Sequence, residues 1–375
     1  MSVKNKQIIN SEDEIVDLVR GLTFFGTGGG GKPEDGIRAL KECIYENLEI
    51  SWVCPNDIPS DSWACVVFGM GSIAPSKIIN ESPFGPVQRK IDLPMVEAVK
   101  ELEAFSGVKV EVIVPFELGG SNTPRAMSAG YHLGARVPDG DLCGRAVPEL
   151  TQTLAALSNI PVLPVVIVDN WGNVIILKDA SNFSTIEGIG KALSVISKSS
   201  DPSATCAHAA HLVRFGELRS SIVKKSISRS MELGKTIRET REKGEDPIKA
   251  VCISTGGRLL FRGNVVEKKW KNKKGYMEGS MKIVGVKEFQ SRNFSIWFKN
   301  ENHMAWEDAK PVCMSPDIIS VVSEKEGEPI TNTLVAEGQG VCVIGVPNIL
   351  YRNQKGIEVL GPSHFGFSEE YIPFE

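Results

Sequence analysis

Between Glu117 and Glu149 the chain gathers side chains able to move protons and bind polar rings. Glu117-Leu118-Gly119-Gly120-Ser121-Asn122 is followed by Pro124 and Arg125, and the stretch closes on Asp139-Gly140-Asp141-Leu142-Cys143-Gly144-Arg145-Ala146-Val147-Pro148-Glu149. A carboxylate at Glu117, Asp141 or Glu149 can act on water as a general base. Arg145 can take a substrate carboxylate in a two-pronged grip, or hold one of those acids in place. Asn122 can both donate to and accept from a ring amide. Ser121 reads as a nucleophile or, since Thr123-Pro124 opens a helix, as a helix cap. The competing reading is a set of structural turns, with Arg145 and Glu149 as a buried ion pair.

The second chemical stretch is Gly26-Thr27-Gly28-Gly29-Gly30-Gly31-Lys32-Pro33. Glycines Gly28, Gly29, Gly30 and Gly31 ahead of a helix N-terminus expose backbone amides to an anion or a polar ring edge. The spacing approaches a phosphate loop, but Pro33 stands where the metal-binding hydroxyl belongs, and a helix precedes the glycines where such loops follow a strand. Nucleotide binding through the glycines is a weaker reading, and no nucleotide cofactor is expected.

The elements that must position these residues follow from periodicity. Ser11-Glu12-Asp13-Glu14 is a capping box, and Ile15, Leu18, Val19 and Leu22 continue it as a helix. Pro33, Pro94 and Pro124 each open a further helix. Residues 64–68, 110–114 and 162–168 read as buried strands, and Asp169 to Asn173 as a hairpin turn before residues 174–177. Polar groups at the end of a buried parallel strand face a crevice. Residues 185–243 look helical, with Val223, Ile227, Met231, Gly234 and Ile237 on one face; Gly234 there predicts close helix packing. Beyond Pro247 the texture is β: Phe294, Ile296 and Phe298 alternate with polar residues, and residues 318–322 and 341–346 are apolar runs. The expected fold class is α/β, with a layered α/β N-terminal domain over residues 1–168. A C-terminal domain over 169–375 is helical across 185–243 and β-rich across 248–375.

Composition narrows the function classes. The chain has 375 residues, 42% hydrophobic and 23% charged, with a formal net charge of −4, which argues against general nucleic-acid binding. The basic run Lys268 to Lys274 reads as a solvated hairpin tip. The polar start from Met1 to Asn10 carries no apolar signal core, and no run approaches a membrane span. Eight scattered cysteines without a Cys-x-x-Cys pair fit reduced thiols and a cytoplasmic location. His208 and His211 are expected on one helix face, without a third ligand beside them. His132 lies inside the central stretch.

Together, Thr27-Gly28-Gly29-Gly30-Gly31, Glu117-x-Gly119-Gly120-x-Asn122 and Asp141-x-x-Gly144-Arg145-Ala146-x-Pro148-Glu149 resemble the S-methyl-thiohydantoin desulfurase domain family, often encoded beside hydantoinase/oxoprolinase genes. Gly275-Tyr276-x-x-Gly279, Asn300-Glu301-Asn302, Pro316-Asp317-Ile318-Ile319 and Gly361-Pro362-x-x-Phe365-Gly366 look like its second domain. Each motif alone is weak; the ordered set spans nearly the whole chain. Cys143, Gly140 and Lys32 depart from the family pattern. The resemblance implies an α/β domain followed by a β-rich one, and action on a hydantoin-like five-membered ring. Its most specific form is hydrolysis of an S-methyl-thiohydantoin to a hydantoin and methanethiol. On this reading Glu117, Asp141, Arg145 and Glu149 are catalytic. Thr27, Gly28, Gly29, Gly30, Gly31, Gly119, Gly120, Ser121 and Asn122 bind substrate. Asn300, Glu301 and Asn302 are site residues or an interdomain latch. The partner is a small molecule, with no nucleic acid and no membrane, and with room for a divalent metal, a homo-oligomer or a hydantoinase-type partner. The alternative is a non-catalytic ligand-binding or regulatory subunit of such an enzyme.

Overall fold

The computed structural model describes residues 6–73, 91–200 and 204–375; residues 1–5 of the polar start lie outside these. A five-stranded sheet organises the N-terminal half, in the order Val112–Pro115, Trp63–Met70, Cys206–Arg214, Val165–Asp169 and Val174–Leu177. Only the first pair is parallel. Alternation along Trp63–Met70 sends Ala64, Val66 and Phe68 into one core and Cys65 and Val67 into another. The second of these cores is closed by the helices Pro94–Ser106 and Asn122–Leu133, through residues such as Met95, Val99, Leu102 and Ala126. The first takes Ile186 and Leu193 from the helix Phe183–Ser200.

The expected helical stretch 185–243 is corrected here. Residues 206–214 form the middle strand of this sheet, and the helix resumes only at Ser226–Glu242. His208 and His211 therefore sit on a strand, not on one helix face. His208 is buried and stacks on Phe68 at 5.0 Å, and His211 donates from Nδ1 to the Pro161 carbonyl at 2.8 Å. The small residues of Cys206-Ala207-His208-Ala209-Ala210 suit a helix locally. Pairing to two neighbours decides otherwise, because tertiary context overrides weak propensity. The N-terminal sheet is thus completed by chain from beyond residue 168.

The first helix, Glu12–Phe25, crosses Ser226–Glu242 closely. A Cβ on Gly234 would lie 1.7 Å from the Asp17 carbonyl oxygen, and one on Gly21 would lie 1.8 Å from that of Ser230. The C-terminal half is a seven-stranded antiparallel sheet, in the order Lys310–Met314, Glu301–Glu307, Asn293–Lys299, Tyr276–Gly285, Arg258–Lys273, Gly340–Val346 and Ile318–Ser323. The basic run lies at the end of the hairpin formed by Arg258–Lys273 and Tyr276–Gly285. Its turn residues Lys274 and Gly275 both have positive φ, 52° and 80°, the geometry of a tight two-residue hairpin. Among the described residues, no helix is long and apolar enough to cross a membrane. All eight cysteines are free.

Candidate active site

The parallel strands Trp63–Met70 and Val112–Pro115 end side by side. Beyond them the chain leaves as Gly71-Ser72-Ile73 and as Phe116-Glu117, and these residues open a cavity of about 560 Å³. The opposite wall is built by the glycine loop and by Asn300 and Glu301 of the C-terminal sheet.

The two glycine motifs meet backbone to backbone. A Cβ on Gly119 would stand 2.5 Å from the Gly30 Cα, and one on Gly120 would stand 2.5 Å from the Thr23 hydroxyl. The Gly30 carbonyl accepts from the amides of Ser121 and Asn122 at 3.0 and 3.1 Å. Gly28, Gly30 and Gly31 have φ of 92°, 74° and 84°, open to glycine at little cost. The C-terminal half grips the other side of the loop. Asn302 and Asn332 donate backbone amides to the Thr27 and Gly28 carbonyls at 2.8 and 2.7 Å. Thr27 donates its hydroxyl to Ile319. Of the four glycine amides, that of Gly29 is spent on Gly26. Those of Gly28, Gly30 and Gly31 donate to nothing among the described residues.

Glu117 is buried at the strand end. Asn122 donates to its Oε1 at 2.7 Å and the Val147 amide to its Oε2 at 2.8 Å. Burial pushes its carboxyl up to about 7 against the pull of those two hydrogen bonds, with Asp141 adding to the rise and Arg145 opposing it. Glu301, from the other domain, leans on Gly29: a Cβ there would lie 1.8 Å from its Oε1. Its Oε2 is buried without a hydrogen-bond partner among the described residues. Burial, and then the charge of Glu117, hold the Glu301 carboxyl well above the usual range. The charge of one of these acids therefore disfavours ionisation of the other.

Other expected site residues stand elsewhere. Asp141 does not line the cavity; it accepts from the amides of Cys143 and Gly144 and from the Ser226 hydroxyl, and burial lifts it to about 6. Arg145 is fully buried, and the ion pair with Glu149 that the competing structural reading offered is absent among the described residues. Its guanidinium instead donates to the carbonyls of Ala146, Pro316, Asp317 and Asn302. Both residues lock the turn behind the cavity. Thr27, Gly119 and Gly120 likewise shape the wall without lining it. Glu149 reaches the rim, held by Lys299 at 2.5 Å and His364 at 2.9 Å. Burial opposes its ionisation, but those two partners win and hold it at about 2. Ser121 lines the cavity and does not cap the helix; Thr123 folds back instead, accepting from the Gly119 amide.

The cavity also carries cations that the motif reading passed over: Arg125, Lys191 and Lys198, together with Lys32. Lys191 and Lys198 lie seven residues apart, hence on one face of Phe183–Ser200, and that spacing was the available signal. Among the described residues Lys32, Arg125 and Lys198 form no ion pair; Lys198 donates to the Ser72 carbonyl and Arg125 to the Thr205 hydroxyl. No group of three or more His, Cys, Asp or Glu side chains among the described residues is placed to hold a metal ion.

Residues 13–179 match the S-Me-THD-like N-terminal domain, and residues 195–374 match the S-Me-THD-like C-terminal domain. The crystal structure of a protein from Chromobacterium violaceum has the same fold: TM-score 0.75 at 21% identity, covering 98% of this chain and 99% of the other. No curated protein matches the chain.

Proposed function

We infer that this chain, which belongs to the S-Me-THD-like family across both of its domains, is a hydrolase of hydantoin-like rings. Most specifically, it converts an S-methyl-thiohydantoin to a hydantoin with release of methanethiol. The observation that carries this reading is the pair Glu117 and Glu301, two buried acids brought by different domains to one cavity beside unpaired glycine amides.

In the reaction, Glu117 is the ionised member and Glu301 the protonated one. Water attacks the ring carbon bearing the methylthio group. A carbon–oxygen bond forms as Glu117 takes one proton from the water and Glu301 gives its proton to the adjacent ring nitrogen. The tetrahedral adduct collapses with cleavage of the carbon–sulfur bond. The adduct's hydroxyl proton returns to Glu301, and the departing sulfur takes the proton held by Glu117. Atoms and charges balance, and both acids end as they began. Asn122, fixed by Glu117 and by the Gly69 amide at 3.3 Å, offers an amide edge to the ring. The amides of Gly28, Gly30 and Gly31 hold the ring carbonyl. The unpaired cations Lys32, Arg125 and Lys198 receive a carboxylate tail, the task first assigned to Arg145.

The test is incubation of the purified protein with a carboxylate-bearing S-methyl-thiohydantoin, reading methanethiol with a thiol reagent and hydantoin by mass. Release of both in equal amounts supports the reading. Binding without turnover sinks the hydrolase and favours a ligand-binding subunit.

A further inference from the structure

Lys191 is a buried cation of the cavity wall to which the acid pair and the anion-binding rim give no task. Its side chain is 9% exposed. Three contacts fix it. Its Nζ lies 3.4 Å from Glu187 Oε1, long for a charge-assisted bond. The same atom stands 3.5 Å over the centre of the Tyr276 ring, a favourable seat for a cation. Its alkyl stem is clamped by the hairpin turn, where a Cβ on Gly275 would come within 2.9 Å of Lys191 Cδ. Glu187 is also shared, accepting from the Tyr276 hydroxyl and, at 3.1 Å, from the Leu150 amide. An ammonium has three donors. One faces Glu187 and one the ring, which leaves the cavity side for a ligand. The charge is thus largely buried, held from both domains and part of the cavity lining, a setting that can stabilise charge appearing only in a transition state.

We propose that Lys191 is the catalytic electrophile of the reaction, taking up the negative charge that collects on the methylthio sulfur as the carbon–sulfur bond breaks. This rests on the desulfurase reading above. The electron pair of the breaking bond goes to sulfur, Lys191 neutralises it in place, and the proton then arrives from Glu117. The ammonium is not consumed. A group acting on the leaving thiolate has a signature that a merely structural lysine lacks: its removal matters less as the thiolate becomes better able to bear its own charge.

The experiment compares wild type, Lys191→Met and Lys191→Arg on two substrates, one with a methylthio and one with a 4-nitrophenylthio leaving group. Lys191→Met should lower kcat on the methylthio substrate by about 100-fold with KM nearly unchanged, and on the nitrophenylthio substrate by less than about 5-fold. Lys191→Arg, which keeps the charge, should recover part of the methylthio rate provided its melting temperature matches wild type. Equal losses on both substrates, or a raised KM with kcat intact, would overturn the role of Lys191 while leaving the hydrolase reading standing. A wild type inert on both substrates would overturn the hydrolase itself.

Discussion

Replacing Glu117 by glutamine removes the charge and keeps the shape, and the structure gives opposite signs for its effects on activity and on stability. Moving a carboxyl from 4.5 to about 7 corresponds to on the order of 3 kcal/mol against the ionised form in the folded protein. Between those two values the unfolded chain has lost this proton and the folded protein still holds it. Wild-type stability therefore falls as pH rises through the window, and the loss is complete above about 7. Glutamine does not titrate and escapes it. The substitution has its own cost: the Val147 amide keeps an acceptor, but the new amide nitrogen meets the Asn122 Nδ2 donor. Asn122 cannot turn round without abandoning the Gly69 amide, so one hydrogen bond is lost, about 1 kcal/mol. Glu117→Gln should thus be about 1 kcal/mol less stable than wild type at pH 4 and on the order of 2 kcal/mol more stable at pH 8.5. Its kcat/KM should fall by roughly 100- to 10,000-fold, and the acidic limb that a base of this kind should give wild type near pH 7 should disappear. Denaturant titrations at the two pH values, run beside a pH–rate profile of methanethiol release, measure all of this. A variant less stable at both pH values, or one keeping its turnover, would refute the assignment of Glu117 as a buried base.

Three further outcomes follow from the same geometry. Gly29→Ala drives a methyl group into Glu301 Oε1 at 1.8 Å and should cost about 1–3 kcal/mol, with activity lost more than tenfold, read by thermal melting and turnover. Arg145→Met strands four buried carbonyl partners and should destabilise by at least about 3 kcal/mol; a variant that melts like wild type yet is inactive would return Arg145 to the catalytic set. Glu149 is held at about 2, so its contribution is present above its unfolded value near 4.5 and fades as pH falls toward 2. Glu149→Gln should cost about 1–2 kcal/mol at pH 6, discounted for partial exposure, and nothing at pH 2.

Much of the architecture could be read from residue order. Alternation at Phe294, Ile296 and Phe298 marked a strand of the C-terminal sheet, and the glycine pattern marked two loops that need bare backbone. Gly30 against Gly119 shows why: the contact tolerates no side chain on either partner, so the requirement is written into residue type. Which acid the fold leaves without a structural task could not be read this way. Glu117, Asp141 and Glu149 are alike as letters. Pairing and burial separate them: Asp141 is consumed by a turn and Glu149 by Lys299 and His364, whereas Glu117 is left facing Glu301, 184 positions away. The same holds for Lys191: its spacing from Lys198 puts it on one helix face, but its burial under a hairpin from the other domain is set by the fold alone. Local sequence sets backbone freedom and periodicity. A side chain's charge state depends on how much water and which partners the folded chain leaves it, and only long-range packing decides that.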